Sequence, residues 1–121
     1  MRSHRRLQVW LKSSDLTEGV YRLTGTFPRS EMFGLTQQMR RAVVSVVSNI
    51  AEGAARSSDA EFARFLDIAM SSAGELQAQL DVAKRLRLAS DNALLILDTQ
   101  VDEIKRMIVG LRKKVSARSK N

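Results

Sequence analysis

The residues whose types could do chemistry concentrate in one segment, positions 38–53 of the 121-residue chain. The polar side chains of Arg41, Ser45, Asn49 and Glu52 border an apolar stripe that has helical spacing. Polar groups beside a buried stripe need partners, because burying them without partners costs free energy. The pattern therefore predicts a helix that is buried in a bundle and lies near a subunit interface, and it favours assembly over catalysis.

Few residues outside this segment are suited to catalysis or to metal binding. The chain has no cysteine, and its one histidine, His4, lies in the first few residues, where a solvated side chain is expected. Gly25 and Gly34 do not have the spacing of a phosphate loop. Glu52 and Glu75 would lie towards opposite ends of a shared hairpin, too far apart to act as acid and base. We therefore predict no catalytic residue, no metal ligand, no cofactor and no enzymatic activity.

Four helices in one all-α domain are predicted to position these residues. One proline and six glycines leave few helix breaks. Ser30 is a suitable N-cap for the second helix, Ser58 and Glu61 form a capping-box pattern, and positions 94–115 carry an uninterrupted heptad seam. The first helix is expected to bury Leu7, Trp10, Leu11, Val20, Tyr21 and Leu23. The predicted helices cover about 5–24, 31–55, 58–88 and 91–116, with a flexible basic tail at 117–121.

Short connections between these helices imply an up-down-up-down antiparallel four-helix bundle. A hairpin of the second and third helices would bring Arg41 towards Glu75 and Glu52 towards Arg64, as two candidate ion pairs. An arginine buried at an interface needs a carboxylate partner. We therefore expect six residues to fix helix register or subunit contacts: Arg40, Arg41, Asn49, Glu52, Arg64 and Glu75.

The net charge of +7 comes from the two ends of the chain. Residues 1–12 and 105–121 hold eleven basic residues and no acidic one, whereas 13–104 hold nine basic and thirteen acidic residues. The bundle topology gathers both termini at one end. A basic end of this kind favours binding of RNA or DNA through counterion release. Alternatively, the positive charge serves only as a solubilising tail. The candidate phosphate contacts are Arg2, Arg5, Arg6, Arg112, Lys113, Lys114, Arg118 and Lys120.

The sequence gives no sign of a membrane partner. No apolar run approaches the length of a membrane span, and the N-terminus lacks the apolar region of a signal peptide. The expected location is therefore the cytoplasm.

The chain resembles the bacterial four-helix bundle protein family, also called the intervening-sequence protein family, over about residues 7–111. Its most specific motif is Asn-Ile-Ala-Glu-Gly at 49–53, after Arg-Arg-Ala at 40–42. Other matching residues are Trp10, Tyr21, Phe27, Pro28, Glu31, Gly34, Leu35, Gln38, Ser45, Ser48, Arg56, Glu61, Phe62, Phe65, Leu66, Ala69, Ser72, Glu75 and Leu76. The chain departs from the family at Val46 and Val47, where Ile-Pro is expected.

The resemblance implies four antiparallel helices assembled as a ring-shaped homopentamer. The family is similar in fold to the accessory variability determinant proteins of diversity-generating retroelements, which bind a reverse transcriptase and nucleic acid through a basic surface. The partners to expect are therefore further copies of the chain, RNA or DNA, and a reverse-transcriptase-like or other protein. Two functions remain open: binding of the nucleic-acid backbone through a basic face, or a scaffold whose ring docks a protein and has no direct nucleic-acid role.

Overall fold

The computed structural model of the chain describes residues 3–119. Its four long helices are α1 (Gln8–Thr24), α2 (Gln37–Ala55), α3 (Asp59–Arg85) and α4 (Asp91–Ser119). Short 3₁₀ turns cover His4–Arg6 and Arg29–Glu31, and a π-helical turn covers Met32–Thr36. Within these residues there is no β-strand.

The four helices form an all-α bundle in which each helix packs against the next and α4 packs against α1. Lys12 on α1 meets Glu103 on α4, and Ser45 on α2 meets Ser72 on α3. Gly19, which follows Lys12 on α1, lies against Leu97, which precedes Glu103 on α4. Later residues of α1 therefore contact earlier residues of α4, so these two helices are antiparallel. The predicted four-helix bundle is confirmed.

The core lies along the predicted stripes of α2 and α4 and along one face of α3. The heptad seam of α4 is buried at every position except Leu111, which is half-buried. Met39, Val43, Val46 and Ile50 of α2 are each fully buried. These side chains remove a continuous apolar surface from water, which is the main force that holds the bundle together.

The buried face of α1 differs from the predicted one. Leu11 and Tyr21 were expected inside but are about two-fifths exposed, at 41% and 42%. Ser13 and Thr24 are buried instead, since each hydroxyl donates a hydrogen bond of 2.7 Å to the backbone carbonyl four residues earlier. Satisfied hydroxyls can occupy core positions at little cost, and this shifts the buried face around the helix.

The start of α2 also differs from the prediction, which placed it at Glu31 with Ser30 as the cap. Regular α-helix begins at Gln37, and the backbone leaves helical geometry at Gly34, where φ is −113° and ψ is −114°. The carboxylate of Glu31, rather than the Ser30 hydroxyl, accepts a hydrogen bond of 3.4 Å from the Leu35 amide. This irregular turn precedes the motif-bearing helix.

The ends of α3 are set by hydrogen bonds. At its start the Ser58 hydroxyl accepts from the Glu61 amide at 3.1 Å, as the capping pattern predicted. At its end the Arg87 amide donates to the carbonyl of Lys84 and the Leu88 amide to that of Ala83, both at 3.0 Å. Arg87 has a φ of 56°, so the two bonds form a Schellman motif with arginine where glycine is usual. The helix therefore ends at Arg85, three residues before the predicted end.

Candidate nucleic-acid interface

Both described ends of the chain lie at one end of the bundle, together with the α2–α3 turn. Arg118, near the end of α4, contacts Asp59, the first residue of α3, with 3.4 Å between Nε and Oδ2. The turn at His4–Arg6 packs against α1 and α2. The topology thus brings together most of the predicted phosphate-binding residues, and we call this region the basic end.

Two of the predicted phosphate contacts already have carboxylate partners. The Arg112 guanidinium makes two hydrogen bonds to Asp67, from Nε at 3.0 Å and from Nη2 at 3.1 Å, and a third to the hydroxyl of Ser116. The hydrogen bond and the charge of Asp67 raise the pKa of Arg112 above its ordinary value. Arg112 and Arg118 are therefore positioned by acidic residues of α3, and a phosphate would have to compete with those carboxylates.

Four other predicted contacts remain available to an anion. Arg5, Arg6, Lys113 and Lys114 are exposed, and their side chains make no hydrogen bond or ion pair to any residue in 3–119. Arg2 and Lys120 lie outside the described residues. The available positive charge of the basic end thus lies on the turn before α1 and on the last turns of α4.

The basic end also holds acidic residues that were not predicted from the sequence. Asp59, Glu61 and Asp67 lie in the first turns of α3, beside the end of α4. Glu52 lies on the last turn of α2 and pairs with Arg56, with 3.6 Å between Oε2 and Nη2. The run Ser-Asp-Ala-Glu could have signalled this charge, but it was interpreted only as a helix cap. The local charge is therefore less positive than the termini alone suggest.

The residues predicted to fix assembly have other partners than expected. Neither Arg41–Glu75 nor Glu52–Arg64 forms an ion pair among the described residues. Arg64 instead lies over the Phe65 ring at 5.6 Å, and Glu75 accepts a hydrogen bond of 3.3 Å from Gln79. The hairpin register is close to the predicted one, since Ser45 meets Ser72. The two predicted ion pairs therefore do not set this register.

Arg40, another residue predicted to fix register or subunit contacts, makes its contacts to α1. Its Nε donates to the Thr24 hydroxyl at 2.9 Å, its Nη2 donates to the Tyr21 carbonyl at 3.3 Å, and its guanidinium lies 4.5 Å from the centre of the Tyr21 ring. Arg40 thus ties the start of α2 to the end of α1. Arg41, one residue on, is exposed and makes no ion pair to the described part of the chain.

Uncharged contacts, rather than ion pairs, join α2 to α3. The hydroxyls of Ser45 and Ser72 are 2.7 Å apart, and the Asn49 amide donates to the Ser45 carbonyl at 2.8 Å and to its hydroxyl at 3.1 Å. A Cβ at Gly53 would lie 2.8 Å from Cβ of Phe65. We call the Ser45–Ser72 pair and the contact of Gly53 with α3 the α2–α3 seam. It gives the Asn-Ile-Ala-Glu-Gly motif a packing role.

In the part of the chain that the structure covers, no group of three or more His, Cys, Asp or Glu side chains could hold a metal ion. No helix there is both long enough and apolar enough to cross a membrane.

The fold and the basic end define a class of protein: an all-helical bundle with a cluster of cations at one end. Within that class, the family model of the 23S rRNA-intervening sequence protein matches residues 5–110, and the chain belongs to this family. The resemblance found from the sequence motifs is therefore confirmed.

A solved structure supports the same fold. A protein of unknown function from the S23 ribosomal protein family of Bacteroides thetaiotaomicron aligns with a TM-score of 0.81 and 23% identity. The alignment covers 87% of this chain and 95% of that one. At this identity the likeness shows the fold alone. The comparison with curated proteins gave no match.

Proposed function

We propose that the protein is not an enzyme, assembles as a homopentameric ring, and binds the backbone of RNA or DNA through the basic end of each subunit. The observation that carries the proposal is the set of four exposed cations, Arg5, Arg6, Lys113 and Lys114, that have no carboxylate partner within residues 3–119. Cations that are not neutralised by the protein can release the counterions of a polyanion.

A ring would strengthen this binding. In a cyclic assembly all subunits point the same way along the axis, so the basic ends would form one positive face if the bundles stand parallel to that axis. Weak phosphate contacts would then act together through their high local concentration. Binding should follow the backbone and show little sequence preference, because the aromatic side chains in the first turns of α1 and α3 are not free to stack on bases. Trp10 is half-buried with its ring against His4, and Phe62 and Phe65 are buried.

Salt titration of binding to RNA and to DNA tests the proposal. The logarithm of the association constant should fall with the logarithm of salt concentration, by about 0.7–0.9 per phosphate contact. Replacing Lys113 and Lys114 by alanine should weaken binding and lower this slope by about 1.5 for each subunit whose basic end contacts the nucleic acid. The family name makes RNA the first polyanion to test.

A matched control exists at the opposite end of the bundle. Lys84 and Arg85 are also adjacent, exposed and near the end of a helix, so their double alanine variant removes the same charge. We expect it to bind almost as the wild type does. An equal loss from both pairs, or no binding at low salt, would contradict a specific role of the basic end.

The ring and the partner are tested separately. Light scattering should give a particle of five 13.5 kDa chains, and a single-chain mass would contradict the ring. The likeness to accessory variability determinant proteins makes a reverse-transcriptase-like protein the partner to test. Recovery of a protein partner after nuclease treatment, with no affinity for RNA or DNA, would instead indicate a protein-docking scaffold.

A further inference from the structure

The irregular turn before α2 carries the most exposed large apolar side chain of residues 3–119. Phe33 is 86% exposed and its neighbour Met32 is 51% exposed. Tyr21 and Val44 are each about two-fifths exposed and lie beside them, and Arg41 borders the same surface. We call Met32, Phe33 and Arg41 the Phe33 knob. An apolar projection of this kind beside a cation is typical of a contact with another macromolecule.

A groove of complementary character lies between α1 and α4. It has a volume of about 610 Å³ and its apolar lining includes Ile96, which is 52% exposed, and Leu97. Asp15 and Glu18 border it, and neither makes an ion pair with any residue of the described chain. Arg22 also lies at its edge, which leaves its three charged groups with a net negative charge. We call this surface the Ile96 groove.

The two surfaces lie at the same level of the bundle, on different sides of α1. Arg40 of α2 contacts Tyr21 and Thr24 on one side, and Gly19 lies against Leu97 of α4 on the other. A knob and a groove on different faces pair head to tail, so each copy uses both surfaces. Repeating this contact gives a closed ring when the rotation between neighbouring copies divides a full turn evenly.

The angle between these faces suits a small ring. Adjacent faces of a four-helix bundle are roughly 90° apart, and a closed ring of five copies requires contacts about 108° apart. Because the knob and the groove need not lie at the centres of their faces, contacts on adjacent faces can also be about 108° apart. In such a ring α1 would face the axis.

We propose that the occupant of the Ile96 groove is the Phe33 knob of a second copy of this chain, with Arg41 facing Asp15 and Glu18. Opposite charge on the two surfaces, apolar exposure on both, and their common level support a second copy as the occupant. The inference rests on the ring of the proposed function and assigns the contacts that build it.

Two variants that each remove one surface test the contact. Phe33→Asp removes the knob and leaves the groove, and Ile96→Asp does the reverse. Each should lower the association constant by about thirtyfold or more, as loss of a central contact does, and should give single chains in analytical ultracentrifugation. Circular dichroism checks that both variants keep their helices. Leu86→Asp, at a 56% exposed site outside both surfaces, is the matched control and should assemble as the wild type does.

Mixing the two variants distinguishes this contact from others. One intact knob then meets one intact groove, so the mixture should form a particle of twice the 13.5 kDa chain mass and nothing larger. A mixture that stays as single chains, variants that assemble normally, or dissociation by Leu86→Asp would overturn the contact.

The failure of this contact and the failure of the proposed function give different results. Normal assembly of both variants overturns the Phe33–Ile96 contact and leaves the ring in place. A wild-type protein that is itself a single chain overturns the ring and this contact with it, whereas nucleic-acid binding by the basic end is judged from the salt titration alone.

Discussion

The α2–α3 seam and the basic end both join α3 to a neighbouring helix, but they do so by different forces. At the seam, two hydroxyls meet at 2.7 Å and Gly53 lets two helices approach closely. At the basic end, Arg112 and Arg118 reach carboxylates of α3 across partly exposed surface. The contrast indicates that the seam fixes the geometry of the bundle, whereas charges at the basic end can change with little effect on the fold.

Gly53→Ala should have the largest effect on the seam. The new methyl group would lie 2.8 Å from Cβ of Phe65 and 2.9 Å from Cδ1 of Phe62, so one of the helices must move. Overpacking of this kind costs about 1–3 kcal/mol, and we expect the free energy of unfolding in urea to fall by about 2 kcal/mol.

Gly110→Ala is the matched control for this variant. Nothing lies within 4 Å of a Cβ at Gly110, although it too is inside a helix. Because alanine favours helix over glycine, this substitution should raise the free energy of unfolding by about 0.5–1 kcal/mol. Equal changes of the same sign at both positions would show that the seam is not closely packed.

The hydrogen bond between Ser45 and Ser72 should have the next largest effect. Ser72 is buried, so Ser45→Ala leaves its hydroxyl with one partner fewer, and we expect a loss of about 1 kcal/mol. The double variant Ser45→Ala/Ser72→Ala should lose less than the sum of the single losses, because the two hydroxyls are one interaction. Additive losses in urea unfolding would argue against this bond.

The apolar stripes of α2 and α4 could be predicted from the sequence because burial follows the helical period, and every heptad position of α4 is buried or half-buried. The side-chain partners could not be predicted, since hairpin register alone does not fix the direction in which Arg41 or Glu75 projects. Likewise, the hydrogen bonds from Arg112 to Asp67 depend on how α3 packs beside α4. Counting the charges of the termini gives no information on that packing.

At the end of α3, the conformation of a charged residue, Arg87, is set by backbone hydrogen bonds and not by an ion pair. Arg87 has a φ of 56°, which is unfavourable for any residue except glycine, and two amide hydrogen bonds require it. Arg87→Gly should therefore raise the free energy of unfolding by about 0.5–1 kcal/mol in urea denaturation. A loss of stability would show that the arginine side chain contributes more than its backbone conformation costs.

The smallest expected effect on stability comes from Asp67→Asn at the basic end. Asp67 holds the Arg112 guanidinium through two hydrogen bonds, and its removal should leave the free energy of unfolding nearly unchanged, because both side chains are about half exposed.

The same substitution should have a clear effect on binding. It removes the negative charge that competes with a phosphate for Arg112, so Arg112 can join the four available cations of its subunit. For each subunit that contacts RNA, affinity should rise by about threefold to tenfold at roughly 0.1 M salt, and the salt slope should steepen by about 0.7–0.9.

Asp81→Asn separates this effect from a general gain of positive charge. Asp81 is exposed near the other end of α3, so the substitution makes the same change in net charge without releasing Arg112. If both variants tightened binding equally, the gain would come from net charge alone. If Asp67→Asn lowered the free energy of unfolding as much as Gly53→Ala does, the ion pairs of the basic end would stabilise the fold as strongly as the α2–α3 seam. The proposed difference between the two regions would then be wrong.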